Sequence, residues 1–299
     1  MATTATARRR TVKDVPLEHT LKGGIHKQPN LIGVALGSAA IVLFFGFPYL
    51  LMFITSLKTR LEVTDIPPAY FPGNPQWSNY VEVWSSEVNP ASALLSSVVI
   101  ASGATLLVLL IATPAAYYIA RFRFPGRLVF LLLVLCTQML QPTVLGVGLF
   151  QEFKGWQGHW VWVALIIING TFNLSFAIWM MQAFFASIPK EIDEAAQIDG
   201  LGRLETMFRI SLPLVWPGIV TAIIFVFVNS WNEYAAALIL VRDNSLQPLT
   251  VAMPRFLGLY VQDWQYLFTT ALIAVVPVII LFGFIEKRLI GGLTAGAVK

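Results

Sequence analysis

The stretch on which the reading of this chain turns is Ile188–Pro213, IPKEIDEAAQIDGLGRLETMFRISLP. It holds five of the sixteen acidic residues and lies between two apolar runs. A polar island so placed is a structured loop rather than a core element. What it does depends on the solvent that the flanking runs meet.

Composition identifies that solvent. The 299 residues are 57% hydrophobic and 12% charged, with a mean hydropathy of +0.71. Soluble domains carry about 25% charged residues, and a chain of this length has no way to bury so much apolar surface in water. The net charge is +4, but the Lys and Arg residues lie between apolar runs rather than on one patch. They fit orientation signals, and no nucleic-acid partner is expected. A single cysteine, Cys136, leaves no disulfide framework or Cys-based metal site within the chain. Near the N-terminus Arg8, Arg9, Arg10, Lys13, Lys22 and Lys27 precede a run uncharged from Gln28 through Leu57. A signal peptide has an apolar region of about 7–15 residues; this longer run is expected to remain as an anchor.

A spanning helix needs about 20 predominantly apolar residues. Six segments qualify: Leu31–Ser56, Ala91–Ala120, Leu128–Phe150, Trp160–Phe185, Val215–Leu240 and Trp264–Ile285. They predict an all-α membrane protein with six transmembrane helices. Pro48, Pro114, Pro142 and Pro277 fall within these segments or at their ends, as membrane helices tolerate. With the N-terminus inside, segments 1–30, 121–127, 186–214 and 286–299 hold 15 of the 20 Lys and Arg residues. The outside loops hold Lys58, Arg60, Lys154, Arg242 and Arg255. Positive charge stays on the cytoplasmic side, so both termini and the opening stretch are expected there. The predicted organisation is a tail over 1–30, a transmembrane domain over 31–290 containing loop 188–213, and a tail over 291–299. The outside loop Lys58–Pro90 has five prolines, Trp77, Tyr80 and Trp84. It reads either as a packed cap or docking surface, or as an aromatic belt at the interface.

Within Ile188–Asp199 the pattern is that of a short amphipathic helix. Pro189 suits its start, and Glu191, Asp193 and Glu194 follow where the helix dipole favours acids. Ile188, Ile192, Ala195 and Ala196 recur at helical spacing as one apolar face. Gly200 stands where a left-handed cap belongs. A second helix is expected from about Arg203 to Ser211, with Leu204, Met207 and Phe208 on its apolar face, stopped by Pro213. The small Ala195–Ala196 pair allows close approach of a partner surface, and Glu194 and Asp199 are placed to cap or pair with it. A helix lying on lipid headgroups predicts a Lys/Arg-rich polar face, and this one is acidic.

Glu194-Ala195-Ala196-x-x-Asp199-Gly200, followed after nine residues by Ile210-x-Leu212-Pro213, resembles the EAA signature of permease subunits of ABC importers. FVNSWNEYAAALIL (Phe227–Leu240) and GLTAGAVK (Gly292–Lys299) are similar to the MalG-like branch of carbohydrate importers. The resemblance covers roughly residues 30 to 299 and implies a six-helix ABC importer permease (MetI/MalG-like) fold in a bacterial or archaeal cell membrane. It implies as partners a second, MalF-like permease, two cytoplasmic ATPase subunits that hold ATP and Mg, an extracytoplasmic solute-binding protein and a sugar substrate. It assigns coupling to the ATPase to Glu191, Glu194, Ala195, Ala196, Asp199, Gly200, Leu201, Ile210, Leu212 and Pro213, with a second contact at Leu293–Lys299. Independently, a P-loop needs Gly-Lys followed by Ser or Thr, and the chain has no Gly-Lys pair. His19, His26, His159 and Cys136 assemble no metal or Cys-His site. No enzyme activity and no cofactor are expected of this chain.

Polar residues within spans are candidates for a substrate path. At 100° per residue, Asn229, Asn232 and Glu233 share an arc of about 100°. Trp231 lies nearly opposite Asn229, as an interface anchor. Asn169 and Asn173 are four apart, and Gln138 and Gln141 three apart. Amides donate and accept, which suits hydroxyl-rich ligands; they equally suit hydrogen bonds between helices, worth about 0.6 kcal/mol. Two other function classes were weighed. An ion-coupled transporter needs buried acids or basic pairs at the midplane, and only Glu233 comes close. A membrane-embedded enzyme needs clustered catalytic groups, and none is visible. Import of a non-sugar solute is opposed only by the resemblance.

Overall fold

A backbone within lipid must satisfy its own hydrogen bonds, and helices do so locally. The computed structural model describes residues 31–67, 69–122, 124–138, 143–258 and 262–294, with side chains over 32–284 of these. Among them the regular structure is helical apart from one isolated bridge, Leu257–Gln262. The tail 1–30, Gln141 and residues 295–299 lie outside the described residues, and with them most of the terminal contact expected at Leu293–Lys299.

The chain falls into two units, Met1–Phe47 and Pro48–Lys299. The boundary lies within helix α1 (Leu31–Ser56), beside its internal Pro48. The described part of the first unit presents exposed apolar side chains such as Ile41, Leu43, Phe44 and Phe45. The second unit continues with two short helices, α2 (Arg60–Thr64) and α3 (Asn79–Glu82), and then the long α4 (Pro90–Arg121). After α5 (Arg127–Thr137) and α6 (Gly146–Phe153) comes α7 (Trp160–Ser187). The loop helices are α8 (Lys190–Ile198), α9 (Arg203–Thr206) and α10 (Leu212–Leu214), the last two joined through one π-helical turn, Met207–Ser211. Then follow α11 (Trp216–Trp231), α12 (Ala235–Leu240), α13 (Leu249–Ala252) and α14 (Trp264–Thr294).

Helices α4 and α7 pack along each other more extensively than any other pair, with α11 against both. The sequence explains the closeness. In α4, Ala93, Ala101, Ala104, Ala112 and Ala116 are all buried. A Cβ added at Gly103 would come within 2.5 Å of Ile166, and one at Gly170 within 2.8 Å of Leu107. Between apolar helices in lipid the packing of small residues, rather than exclusion of water, drives association.

Among the described residues four helices, including α4, α7 and α14, are long and apolar enough to cross a membrane. A fifth is obtained if the segment Arg203–Leu214 is joined to α11 across their 82° bend. The structure corrects two of the six expected continuous spans. Leu128–Phe150 is divided: α5 ends at Thr137 and α6 begins at Gly146, and the interval contains Pro142, which has no N–H to give a helix. Val215–Leu240 is also divided, because α11 ends at Trp231 and α12 begins at Ala235. At the other end, Pro213 lies inside α10 rather than stopping the preceding helix. The break falls at Val215, where the Pro217 ring would clash with the carbonyl of Pro213 in a continued helix. Helix α14 runs to Thr294, into the stretch read as a tail.

The loop after α1 packs as a cap. Thr59 and Glu62 form a capping box at α2, and the Glu62 Oε1 accepts from the Gly73 N–H at 2.9 Å. Lys58, nearly buried, donates to the Ala69 carbonyl at 2.6 Å. Arg60 pairs with Asp263 at 3.5 Å, and the Tyr266 hydroxyl donates to Glu82 at 2.8 Å. These contacts fasten the loop to the start of α14 around a polar cleft of ≈ 460 Å³.

Candidate functional site

Helix α8 begins after Pro189, whose ψ of 139° turns the chain away from α7. At its far end the Leu201 N–H donates to the Ala196 carbonyl, and the Gly200 N–H to the Gln197 carbonyl, both at 3.1 Å. This pair of bonds is a Schellman cap. It requires the left-handed φ of +90° that Gly200 adopts. Glycine stands there for backbone reasons, because a Cβ would meet nothing within 4 Å.

Two residues of α8 face inward, Asp193 and Ala196. Asp193 is joined to the last residue of α4: Arg121 Nε lies 2.6 Å from Asp193 Oδ2, with both side chains buried. The approach is one of charge, off the line of the Nε–H. The guanidinium is oriented instead by its Nη1–H, which donates to the Ile188 carbonyl at 2.8 Å, while Nη2 lies 3.5 Å from Oδ1. Two hydroxyls complete the carboxylate's shell. Ser211 donates to Oδ1 at 2.8 Å, and Tyr117 to Oδ2 at 3.3 Å. The two helix dipoles agree with the two charges, since the cation ends α4 and the anion lies in the first turn of α8. Nearby, Arg203 stacks over the Phe122 ring at 4.9 Å. Both halves of the loop are therefore tied to the end of α4. Beneath them Tyr117, Phe185, Ile188, Met207 and Val215 belong to one buried cluster.

The predicted coupling residues divide by face. Glu191, Glu194, Ala195, Asp199, Gly200 and Pro213 are exposed, and Leu201, Ile210 and Leu212 are half-buried. Ala196 is buried, so the expected outward Ala195–Ala196 pair is corrected: successive helical residues point 100° apart, and only Ala195 faces out. The expected apolar face is corrected too. Ile192 is exposed on α8, and in the second helix only Met207 is buried while Leu204 and Phe208 are exposed. Sequence reasoning missed Arg121 and Ser211 altogether and read Asp193 only as a dipole acid. The available signal was an arginine ending a long apolar run.

The predicted substrate-path residues are not brought together as expected. Helix α11 is capped at Asn232 and Glu233 lies beyond it, so the arc drawn through Asn229, Asn232 and Glu233 does not extend to Glu233. Asn229 and Asn232 are exposed, and the Asn232 Nδ2 donates to the Val228 carbonyl of its own helix at 2.8 Å. Glu233 caps α12, its carboxylate accepting from the Ala236 and Ala237 N–H groups at 2.7 and 3.2 Å. Its backbone carbonyl accepts from Thr250 Oγ1 at 2.7 Å. Trp231 is no interface anchor: it is buried and stacks on Phe227 at 5.6 Å. Asn169 and Asn173 are buried, and each Nδ2 donates to a carbonyl one turn back in α7, at 2.9 and 2.8 Å. Gln138 does join helices, donating to the Phe172 carbonyl at 3.2 Å beside a Thr137–Ser175 hydroxyl pair at 2.6 Å. Among the described residues no His, Cys, Asp and Glu group forms a metal site.

Residues 112–293 match the family model for the binding-protein-dependent transport system inner membrane component. The chain is 34% identical over 264 residues to the sulfoquinovosyl glycerol transport system permease protein SmoH of Agrobacterium fabrum, covering 88% of this chain and 92% of that one. It is 30% identical over 269 residues to the trehalose/maltose transport system permease protein MalG of Thermococcus litoralis, covering 88% and 95%. Its fold resembles that of a chain in the crystal structure of a bacterial ABC transporter that imports the acidic polysaccharide alginate. The TM-score is 0.71 at 20% identity, over 86% of this chain and 95% of the other.

Proposed function

Because this chain belongs to the family of binding-protein-dependent transport system inner membrane components, we propose that it is the permease subunit of an ATP-driven sugar importer. In this reading the subunit is non-catalytic and crosses a bacterial or archaeal cell membrane six times. The third and fifth crossings are interrupted helices, and both termini and loop 188–213 lie in the cytoplasm. Helix α8 is the element that sits in a cleft of the ATPase, one of two such subunits. They hold ATP and Mg, and this chain binds no cofactor. A second, MalF-like permease completes the pore, and an extracytoplasmic solute-binding protein delivers the sugar. Support for the sugar comes from the names of the relatives and from the alginate importer. A crystal structure of a bacterial alginate ABC transporter in complex with an alginate pentasaccharide-bound periplasmic protein also contains a chain of similar fold, at a TM-score of 0.61 and 17% identity.

The observation that carries the reading is the set of outward side chains on α8. Glu191, Glu194, Ala195 and Asp199 project from a short helix that is anchored on its other face, as a knob gripped by a moving partner must be. The experiment is reconstitution. The chain is expressed with its neighbouring transport genes and purified by a tag on this subunit, and uptake of labelled sugars into proteoliposomes is measured. ATP- and binding-protein-dependent uptake is expected. Uptake that needs neither, or that follows an ion gradient, overturns the assignment. Uptake confined to a non-sugar solute overturns the substrate class alone.

A further inference from the structure

We infer that the Arg121–Asp193 pair, with Ser211, is the transmission joint that carries displacement of α8 into α4 and α11. The inference rests on the assignment of α8 as the ATPase-facing helix.

Connectivity alone does not route motion this way. Helix α8 follows α7 in the chain, separated only by Ile188 and Pro189, so a push on α8 reaches α7 through the backbone. What ties it to the other two central helices is side-chain chemistry at one carboxylate. Arg121 and Tyr117 reach Asp193 from the last turn of α4, across 72 and 76 residues of sequence. Ser211 reaches it from the end of the π-helical turn, four residues before the 82° bend that opens α11. π-turns within helices recur at functional sites, and this one ends on the residue that touches the joint.

The joint is selective in what it fixes. The Arg121 guanidinium is bonded at once to the Asp193 carboxylate on α8 and to the Ile188 carbonyl at the end of α7. It therefore ties α4, α7 and α8 at one point, while Ser211 adds the segment leading to α11. The outward face of α8 contributes nothing to these bonds. A carboxylate so placed is a positioning residue, and its loss separates gripping from transmission.

The test uses the whole reconstituted transporter, with three variants of this subunit: Asp193→Asn, Arg121→Lys and Ser211→Ala. Three quantities are read: ATPase subunits retained on purification, ATP hydrolysed in the presence of loaded binding protein, and labelled sugar taken up per ATP. Asp193→Asn is expected to keep the ATPase subunits and to hydrolyse ATP, while uptake per ATP falls roughly fivefold or more, the lower range of measured inter-site couplings. Arg121→Lys keeps the charge but loses the fork that reaches two acceptors, and a smaller fall is expected. Ser211→Ala leaves the ion pair in place and cuts only the branch to α11; a fall of about twofold is expected, less than for the ion pair because a single neutral hydrogen bond is lost. Unchanged uptake per ATP in Asp193→Asn and Ser211→Ala overturns the joint. So does loss of the ATPase subunits from Asp193→Asn, because the residue then serves docking or folding. Failure of the unmodified subunit to retain an ATPase fails the assignment of the chain instead, and the two outcomes are distinct.

Discussion

Asp193 and Glu233 are both carboxylates set close to apolar helices, and they spend their charge in opposite ways. Asp193 binds partners 18 to 76 residues away and fastens three elements at one end of the α4–α7–α11 core. Glu233 accepts from N–H groups three and four residues ahead and closes the start of its own short helix. The first arrangement moves together or not at all. The second holds only its own short helix through the carboxylate, and the tie from Glu233 to another element is made by its backbone carbonyl, which accepts from Thr250 Oγ1. One carboxylate is a joint between elements, the other a local helix cap.

The largest expected effect breaks the joint. Asp193→Ala leaves the Arg121 charge buried without its partner, which typically costs about 3–5 kcal/mol. Unfolding of the detergent-purified subunit, followed by intrinsic fluorescence, should show it. The double variant Arg121→Met with Asp193→Ala should recover much of the loss, because the unpaired charge is gone. If the single variant costs less than about 1 kcal/mol, a typical exposed-pair value, the pair is not the buried anchor its geometry indicates.

A substitution beside the joint separates its packing from its cap. Gly200→Ala meets no steric obstacle, so its whole cost is that of a left-handed residue bearing a Cβ, roughly 1–2 kcal/mol. Gly200→Asn, which tolerates that conformation better, should cost less. Equal costs would mean that the end of α8 relaxes out of its cap. At the local cap, Glu233→Ala removes a helix cap and should cost about 0.5–2 kcal/mol, without a change in sugar taken up per ATP. A fall in that ratio comparable to that of Asp193→Asn erases the distinction between the two regions.

The contrast also explains what was legible. Helices α4 and α7 were readable as spans because each is a long apolar run, but their packing on each other was not, because the small residues that permit it stand on two segments far apart in sequence. Gly200 was readable because left-handed caps have a residue preference. The division after Trp231 was not, because no proline or glycine marks it; a glutamate competing for the N–H groups ahead of it starts a new helix. By its rarity in an apolar run Glu233 drew a functional reading, whereas Asp193 was one acid among several in a polar loop. Its role depends on an arginine 72 residues earlier, and no local pattern encodes that distance.

Glu62 lies between the two cases and gives the smallest expected effect. Its carboxylate serves its own helix through Thr59, as Glu233 does, but also holds the Gly73 N–H eleven residues on. Hydrogen bonds from the Thr59 and Gly73 backbone N–H groups hold its pKa below the ordinary 4.5. A carboxyl depressed in the folded state contributes its full stabilisation above the unfolded value and loses it as pH falls through the folded value. Protection of the Gly73 amide from hydrogen exchange, corrected for intrinsic rate, should therefore stay level from neutrality down to 4.5 and weaken only below it. Because the group is half-buried at the surface, within reach of solvent screening, the change should be small and local, sparing amides in α4 and α7. Glu62→Gln should remove most of the pH dependence. If the variant keeps it, another group on the same cap holds the loop, and Glu62 belongs with Glu233 as a purely local cap.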